Sequence, residues 1–312
     1  MAQSLQDKRM PKIDEQRIIV NARRQDLRFA IIGLVVLFFT MVMLLVLIAD
    51  FMLDGIPRIS IDFLTSYPSR RPEQAGILSA WVGSALVMFV TAALAVPIGV
   101  AAGVYLEEYA PKNWFTDVIE INVTNLAGVP SIIYGLLALG LFVHTLHLGQ
   151  TILVAGLTLA LLILPIIIVA TREALRGIPL ELREAAYAIG ADKWQAVRMY
   201  LLPVAWPGIL TGAIVGMSRA IGETAPLITI GALAFIAFLP PPPVQPMFPF
   251  INFDWLHSPF TVLPIQMFNW ISRPQQGFHV NAAATGVILL VMTLLMNGLA
   301  VYIRYRIRRG RN

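Results

Sequence analysis

An arginine and a glutamate four residues apart, in the stretch GMSRAIGETAPLI over 216–228, interrupt a run that is otherwise apolar from Gly208 to Phe238. Arg219 offers a planar fork of donors suited to an oxyanion, and Glu223 a carboxylate that can hold the fork while no anion is bound. Spacing of four places both on one face of a helix, close enough to pair. A salt bridge that merely fixes that helix against its neighbours is the competing reading. Ser218 and Thr224 beside the pair, and Ser131 in an earlier apolar stretch, would add hydroxyl donors to an anion. The bland alternative for each is a hydroxyl bonded to a backbone carbonyl of its own helix. His144 and His147 stand one helical turn apart, a spacing able to bind metal, but no carboxylate accompanies them in sequence and no metal site is expected. Cysteine is absent, which excludes disulfides, cysteine zinc sites and thiol nucleophiles. The pattern G-x-x-x-x-G-K-[ST] is missing as well, so the chain cannot cradle ATP phosphates in the usual way.

The elements that must position this pair are set by composition. The chain is 57% hydrophobic and 13% charged, where ordinary globular proteins carry about 25% charged residues. Most of its apolar surface must therefore face lipid. A spanning helix needs roughly 20 apolar residues, and six windows qualify: Ala30 to Ala49, Leu78 to Tyr105, Leu126 to Leu146, Thr151 to Ala170, Gly208 to Phe238 and Asn281 to Ile303. Continuous apolar runs predict helices, because an open sheet would leave backbone groups unpaired in lipid and a barrel would alternate. Arg219 and Glu223 are the only Asp, Glu, Lys or Arg residues inside these windows. An arginine at mid-membrane costs about 2.5–3.5 kcal/mol on insertion scales, so it is expected to face the bundle interior.

Lys and Arg number 7 before the first window, 1 in the 106–117 loop, 5 over 171–206 and 5 after the last window, against 3 in the 50–77 loop and 1 in the 240–280 loop. This bias places both termini in the cytoplasm. It also explains the net charge of +5 by anionic inner-leaflet lipid, with no nucleic-acid partner. The first window lacks a signal-peptide cleavage pattern and reads as a permanent helix. Asn122-Val-Thr124 fits a glycosylation sequon but falls at a cytoplasmic helix end, where it carries no meaning. Of the outer loops, 239–250 reads LPPPPVQPMFPF, a stiff segment on the wrong side of the membrane for cytoplasmic proline-binding modules. Pro97, Gly128, Pro130, Pro165 and Pro226 punctuate the windows as packing or kink sites. The chain divides into a basic tail (1–29), the first helix with its external loop (30–77), a core (78–303) and a second basic tail (304–312).

The 171–206 loop mixes charge with apolar residues at helical spacing. Gly190 separates two short amphipathic pieces, and Asp192 stands where it would cap the second. EAAYAIGADKWQAVRMYLLP (184–203) resembles the EAA signature of ABC-importer permeases through Glu184, Ala185, Ala186, Gly190, Leu202 and Pro203; Tyr200 departs from the usual isoleucine. SRAIGETAPL and LAGVPSIIYGL (126–136) resemble the permease subunits of phosphate-uptake importers, the PstA-type more than its PstC-type partner.

That resemblance implies an all-α integral membrane protein with six transmembrane helices, the type I ABC-importer permease fold, and cytoplasmic coupling helices. It implies a non-catalytic subunit that moves inorganic phosphate into the cytoplasm. The expected partners are a second, PstC-type permease, an ABC ATPase dimer seated on the EAA loop and an external phosphate-binding protein. No cofactor is expected in this chain, since ATP and Mg would be bound by the ATPase. The inner membrane of a bacterium is the implied location. A permease for sulfate or molybdate, an ion-driven secondary transporter and a phosphate-status sensor are the alternatives. The secondary transporter would normally show inverted repeats and intramembrane acids for coupling.

Overall fold

The structure, a computed structural model, describes residues 15–309 except 234, 245–249 and 251. The described residues are helix and loop, in the order α1 (Glu15–Gly55), α2 (Ile61–Thr65), α3 (Leu78–Val104), α4 (Trp114–Leu126), α5 (Ser131–Ala138), α6 (Ile152–Arg176), α7 (Leu180–Ala188), α8 (Lys193–Gln195), α9 (Leu202–Gly222), α10 (Ala225–Thr229), α11 (Leu263–Ile271) and α12 (Gln276–Arg309). Wider π-helical turns extend α3 over Tyr105–Tyr109 and α5 over Leu139–Thr145. They fall into two compact units, one ending at Leu53 and the other beginning at Asp54. The second unit thus takes in residues 54–77.

The first unit consists of most of α1. Its helix begins well before Ala30, inside the segment read as a tail, and it exposes apolar side chains all round from Leu27 to Leu47. A helix apolar on every side is stable only against lipid or other apolar helices.

In the second unit α6 is the central helix, with α3 and α9 packed along it. Leu159, Leu162, Ile163 and Ile167 of α6 are fully buried, with Val87 of α3 and, slightly less so, Ile221 of α9. A second cluster forms where the 50–77 and 239–274 loops meet. Phe63 of α2 and Phe278 of α12 each pack on Trp270 of α11, at ring-centroid distances of 6.1 and 6.3 Å. Arg58 ties this cap together, its Nε donating to Asn281 Oδ1 at 2.8 Å and its Nη2 to the carbonyls of Pro72, Glu73 and Ala75. Both loops thus hold short helices, α2 and α11, that the sequence reading did not mark. Short helices of five to nine residues lack the length that makes periodicity visible in sequence. Of the proline-rich 239–250 stretch, residues 245–249 lie outside the described residues.

Among the described residues, five helices are long and apolar enough to cross a membrane, within Gln25–Arg58, Leu78–Tyr109, Ile152–Arg176, Lys193–Gly222 and Gln276–Arg306. A sixth span arises only when two segments bent by 107°, Trp114–Leu126 and Ser131–Thr145, count as one. Two windows are thereby corrected. The third is not a helix from Leu126 to Leu146, since α4 stops at Leu126 and α5 restarts at Ser131. Pro130 cannot donate into a helix, and its ring would collide with the carbonyl four residues earlier, that of Leu126. The fifth does not run from Gly208 to Phe238 either. α9 starts earlier and ends at Gly222, the residue four before Pro226, and the same steric rule explains the stop. Pro97 and Pro165, by contrast, stay inside unbroken helices. The last helix runs on to Arg309, so the 304–312 segment is helical through most of its length.

A passage between two broken spans and a coupling loop

The two breaks face each other. α5 packs against α10, and the approach is so close that a Cβ on Gly135 would lie 1.8 Å from Thr229 Oγ1 and 2.7 Å from the Pro226 backbone. Only glycine permits this contact. Tyr134, buried beside it, spans the other break by donating its hydroxyl to the Leu126 carbonyl at 2.8 Å. The same carbonyl also accepts from the Val129 amide at 3.2 Å, so the Tyr134 bond adds a second donor there and ties α5 to the end of α4.

Arg219 occupies the last turn of α9, where a cation complements the helix dipole. Glu223 is not on the same helix: it takes an extended backbone, φ −76° and ψ 126°, just past the helix end. The pair still forms, through Arg219 Nε and Glu223 Oε1 at 3.4 Å. This is longer than the 2.7–2.9 Å of a tight charged bond. The two terminal nitrogens of the guanidinium make no hydrogen bond to any described residue. The Arg219 side chain is 37% exposed.

The hydroxyls divide. Ser218 Oγ sits 2.7 Å from both the Ile214 carbonyl and Asn297 Oδ1, so it links α9 to α12 and is occupied there. Ser131 opens α5 and Thr224 precedes α10, and neither hydroxyl bonds to a described residue. Asn122 and Thr124 bond to carbonyls of their own helix, α4. His147 takes the left-handed backbone (φ 54°), with Nδ1 at 3.1 Å from the Thr145 carbonyl.

The 171–206 segment begins as helix, since α6 runs to Arg176. α7 carries Glu184 and Ala185 exposed and Ala186 buried. Gly190, at φ +84°, makes the turn that a side chain would strain. Asp192 then closes a capping box, accepting from the Gln195 amide at 2.7 Å while Gln195 Oε1 accepts from the Asp192 amide at 3.0 Å. The second piece is no separate helix. α8 passes through a π-helical turn, Ala196–Leu201, straight into α9, so Leu202 and Pro203 lie inside one helix from Lys193 to Gly222. Pro203 has no N–H for an ordinary α-helical bond, and the turn widens just ahead of it. Leu175, Ile178, Val197, Leu201 and Ile209 form a third buried cluster that fixes this end against α6.

A family model for the inner membrane component of binding-protein-dependent transport systems matches residues 95–309. The chain belongs to that family. It is similar to the phosphate transport system permease protein PstA 1 of Mycobacterium tuberculosis (strain ATCC 25618 / H37Rv), 33% identical over 242 residues, 77% of this chain and 74% of the relative. The phosphate transport system permease protein PstA of Mycobacterium leprae (strain TN) is 36% identical over 233 residues, 73% and 72% of the two chains. Among solved structures, the MetNI methionine ABC transporter in inward-facing conformations matches with a TM-score of 0.55 at 20% identity, covering 72% of this chain and 93% of the other. The permease is therefore a multi-pass membrane protein with the fold of type I ABC importers.

One group of charges in the permease escaped the sequence reading. Arg172 of α6 is only 5% exposed, with Nη2 at 2.5 Å from Glu120 of α4 and Nε at 3.4 Å from Glu107 at the end of α3. Arg176 Nε binds the same Glu107 carboxylate at 2.8 Å. These residues lie just outside the apolar windows, so the absence of charge within the windows gave no signal of them. A helical 3.6-residue period places Arg172 and Arg176 on one face of α6, and that was the only local clue. The cap is separately testable: Asp192→Ala is expected to cost about 1 kcal/mol, seen as roughly fivefold faster hydrogen exchange at the Gln195 amide.

Proposed function

We propose that this chain is a permease subunit of an ATP-driven importer that translocates inorganic phosphate into the cytoplasm of a bacterium. The observation that carries the reading is Arg219, held by Glu223 through Nε alone, with the bidentate end of its fork free in a chain similar to PstA permeases. A fork with two parallel donors fits two oxygens of a tetrahedral oxyanion. Thr224 and Ser131, with unspent hydroxyls, and the N-terminus of α5 supply further donors along the same passage.

Glu223 adds discrimination. Phosphate near neutral pH carries a proton that a carboxylate can accept in a hydrogen bond, whereas sulfate has none, and a half-buried acceptor left unpaired disfavours the wrong anion. A broken helix lining a passage is a usual place for such a site in membrane transport proteins.

The remaining roles follow the same reading. Glu184 and Ala185, exposed on α7, face the groove of a separate ABC ATPase, which binds ATP and Mg. A second, PstC-type permease completes the passage, and an external phosphate-binding protein delivers the substrate. Both termini are cytoplasmic, by the Lys and Arg bias, and the chain performs no covalent chemistry.

The test is uptake of labelled phosphate into proteoliposomes holding the assembled importer, with a 100-fold excess of sulfate or molybdate as competitor. ATP-dependent phosphate uptake unchanged by either competitor is the expected result. Equal suppression by sulfate would overturn phosphate as the substrate.

A further inference from the structure

The Arg172 charged cluster continues onto the EAA helix itself. Glu107 and Glu108 are consecutive residues in the π-helical turn that ends α3, yet they bind different elements. Glu107 takes Arg172 and Arg176 of α6. Glu108, with a side chain only 5% exposed, takes Arg183 of α7 at 2.5 Å. Arg183 is also bonded from Nη2 to the Leu175 carbonyl at 2.8 Å, one of the last carbonyls of α6. Through one side chain, α7 is thus fastened to both α3 and α6, while Glu120 of α4 closes the cluster through Arg172.

Apolar packing would hold α7 in place at less cost, because burying charge sacrifices hydration that the pairing only partly restores. Where a buried charge pair is kept, its strength is directional: it is either made in full or released, so it suits an element with two arrangements. The third apolar cluster already supplies ordinary adhesion between the loop and α6. The charges therefore do something that adhesion does not require.

We propose that the Arg183–Glu108 pair is a releasable latch that passes movement of the α7 coupling helix to α3 and α6. Arg183 and Glu108 are positioning residues in transport and do not touch substrate. The inference rests on reading the chain as the permease of an ATP-driven importer, but not on which oxyanion is carried.

The experiment uses the full importer, with both permeases and the ATPase, in proteoliposomes, and reads uptake per ATP hydrolysed. Arg183→Gln and Glu108→Gln are each expected to leave co-purification with the ATPase and basal ATP hydrolysis unchanged and to lower uptake per ATP about tenfold. The exchanged protein, Glu108→Arg with Arg183→Glu, is expected to return to within about threefold of wild type, a recovery that loss of a mere surface contact would not produce. Wild-type uptake per ATP in both single variants overturns the latch. So does failure of the exchange to raise that ratio, and so does loss of assembly in the single variants, which would make the pair a folding contact. A wild-type complex that couples ATP to sulfate uptake would refute phosphate as the substrate and leave this comparison valid.

Discussion

Arg219→Ala is expected to lower ATP-driven phosphate uptake about 100-fold, with the protein present in the membrane at wild-type level. A 100-fold loss corresponds to about 2.7 kcal/mol, within the range for a charge-assisted, bidentate contact removed from a low-dielectric passage. The level control is informative because removing an arginine from a spanning segment favours insertion, by about 2.5–3.5 kcal/mol on insertion scales. Poor expression is therefore not what the substitution should produce. Arg219→Lys keeps the charge but replaces the fork by a point donor, and about tenfold loss is expected. Glu223→Gln keeps the shape but weakens the acceptor. Uptake should fall only a fewfold, while sulfate becomes a measurable competitor. Near-normal uptake in all three variants would reduce the pair to a structural salt bridge.

Gly135→Val separates the passage geometry from its charge. The substitution places a Cβ 1.8 Å from Thr229 Oγ1 and 2.7 Å from the Pro226 Cα and carbonyl oxygen. The threonine hydroxyl can turn away, but the Pro226 backbone is fixed at the start of α10 and cannot. α5 and α10 must separate, and overpacking of this kind costs about 1–3 kcal/mol. The expected outcome is a lower unfolding midpoint in detergent together with at least tenfold less uptake. Gly140→Ala provides the contrast: nothing lies within 4 Å of the added atom, so both readouts stay near wild type. Equal behaviour of the two variants would show that the close contact of α5 with α10 does not shape the passage.

Several features were legible in sequence because they depend on neighbours in the chain. Apolar length marked the spans, the Asp192 cap and the Gly190 turn were visible as residue types at fixed offsets, and the EAA loop and SRAIGETAPL stretch carried the family. The pairing of Arg219 with Glu223 was also anticipated, although for an incomplete reason. Spacing of four on a continuous helix suggested it, whereas the structure makes the pair across a helix end, with Glu223 in extended backbone. The hydroxyls assigned to the substrate path by type differ in what they already bond. Ser218 turned out to be engaged with Asn297 of α12, 79 residues away in sequence, and no local rule distinguishes that serine from Ser131 or Thr224.

By itself the sequence determined that this chain is a bundle of apolar helices with one charged pair in a span and a coupling loop between two of them. Those properties are sums over adjacent residues, set by lipid thickness, by backbone hydrogen bonding and by capping. Tertiary structure alone decided which prolines break helices and which do not, since Pro97 and Pro165 are chemically the same as Pro130 and Pro226 yet lie inside unbroken helices. It also decided that Glu107 and Glu108 meet Arg176 and Arg183 across separations of 69 and 75 residues. A buried charge must find its counter-charge wherever the packed helices bring one within reach, and that distance is a property of the fold, not of the chain's order.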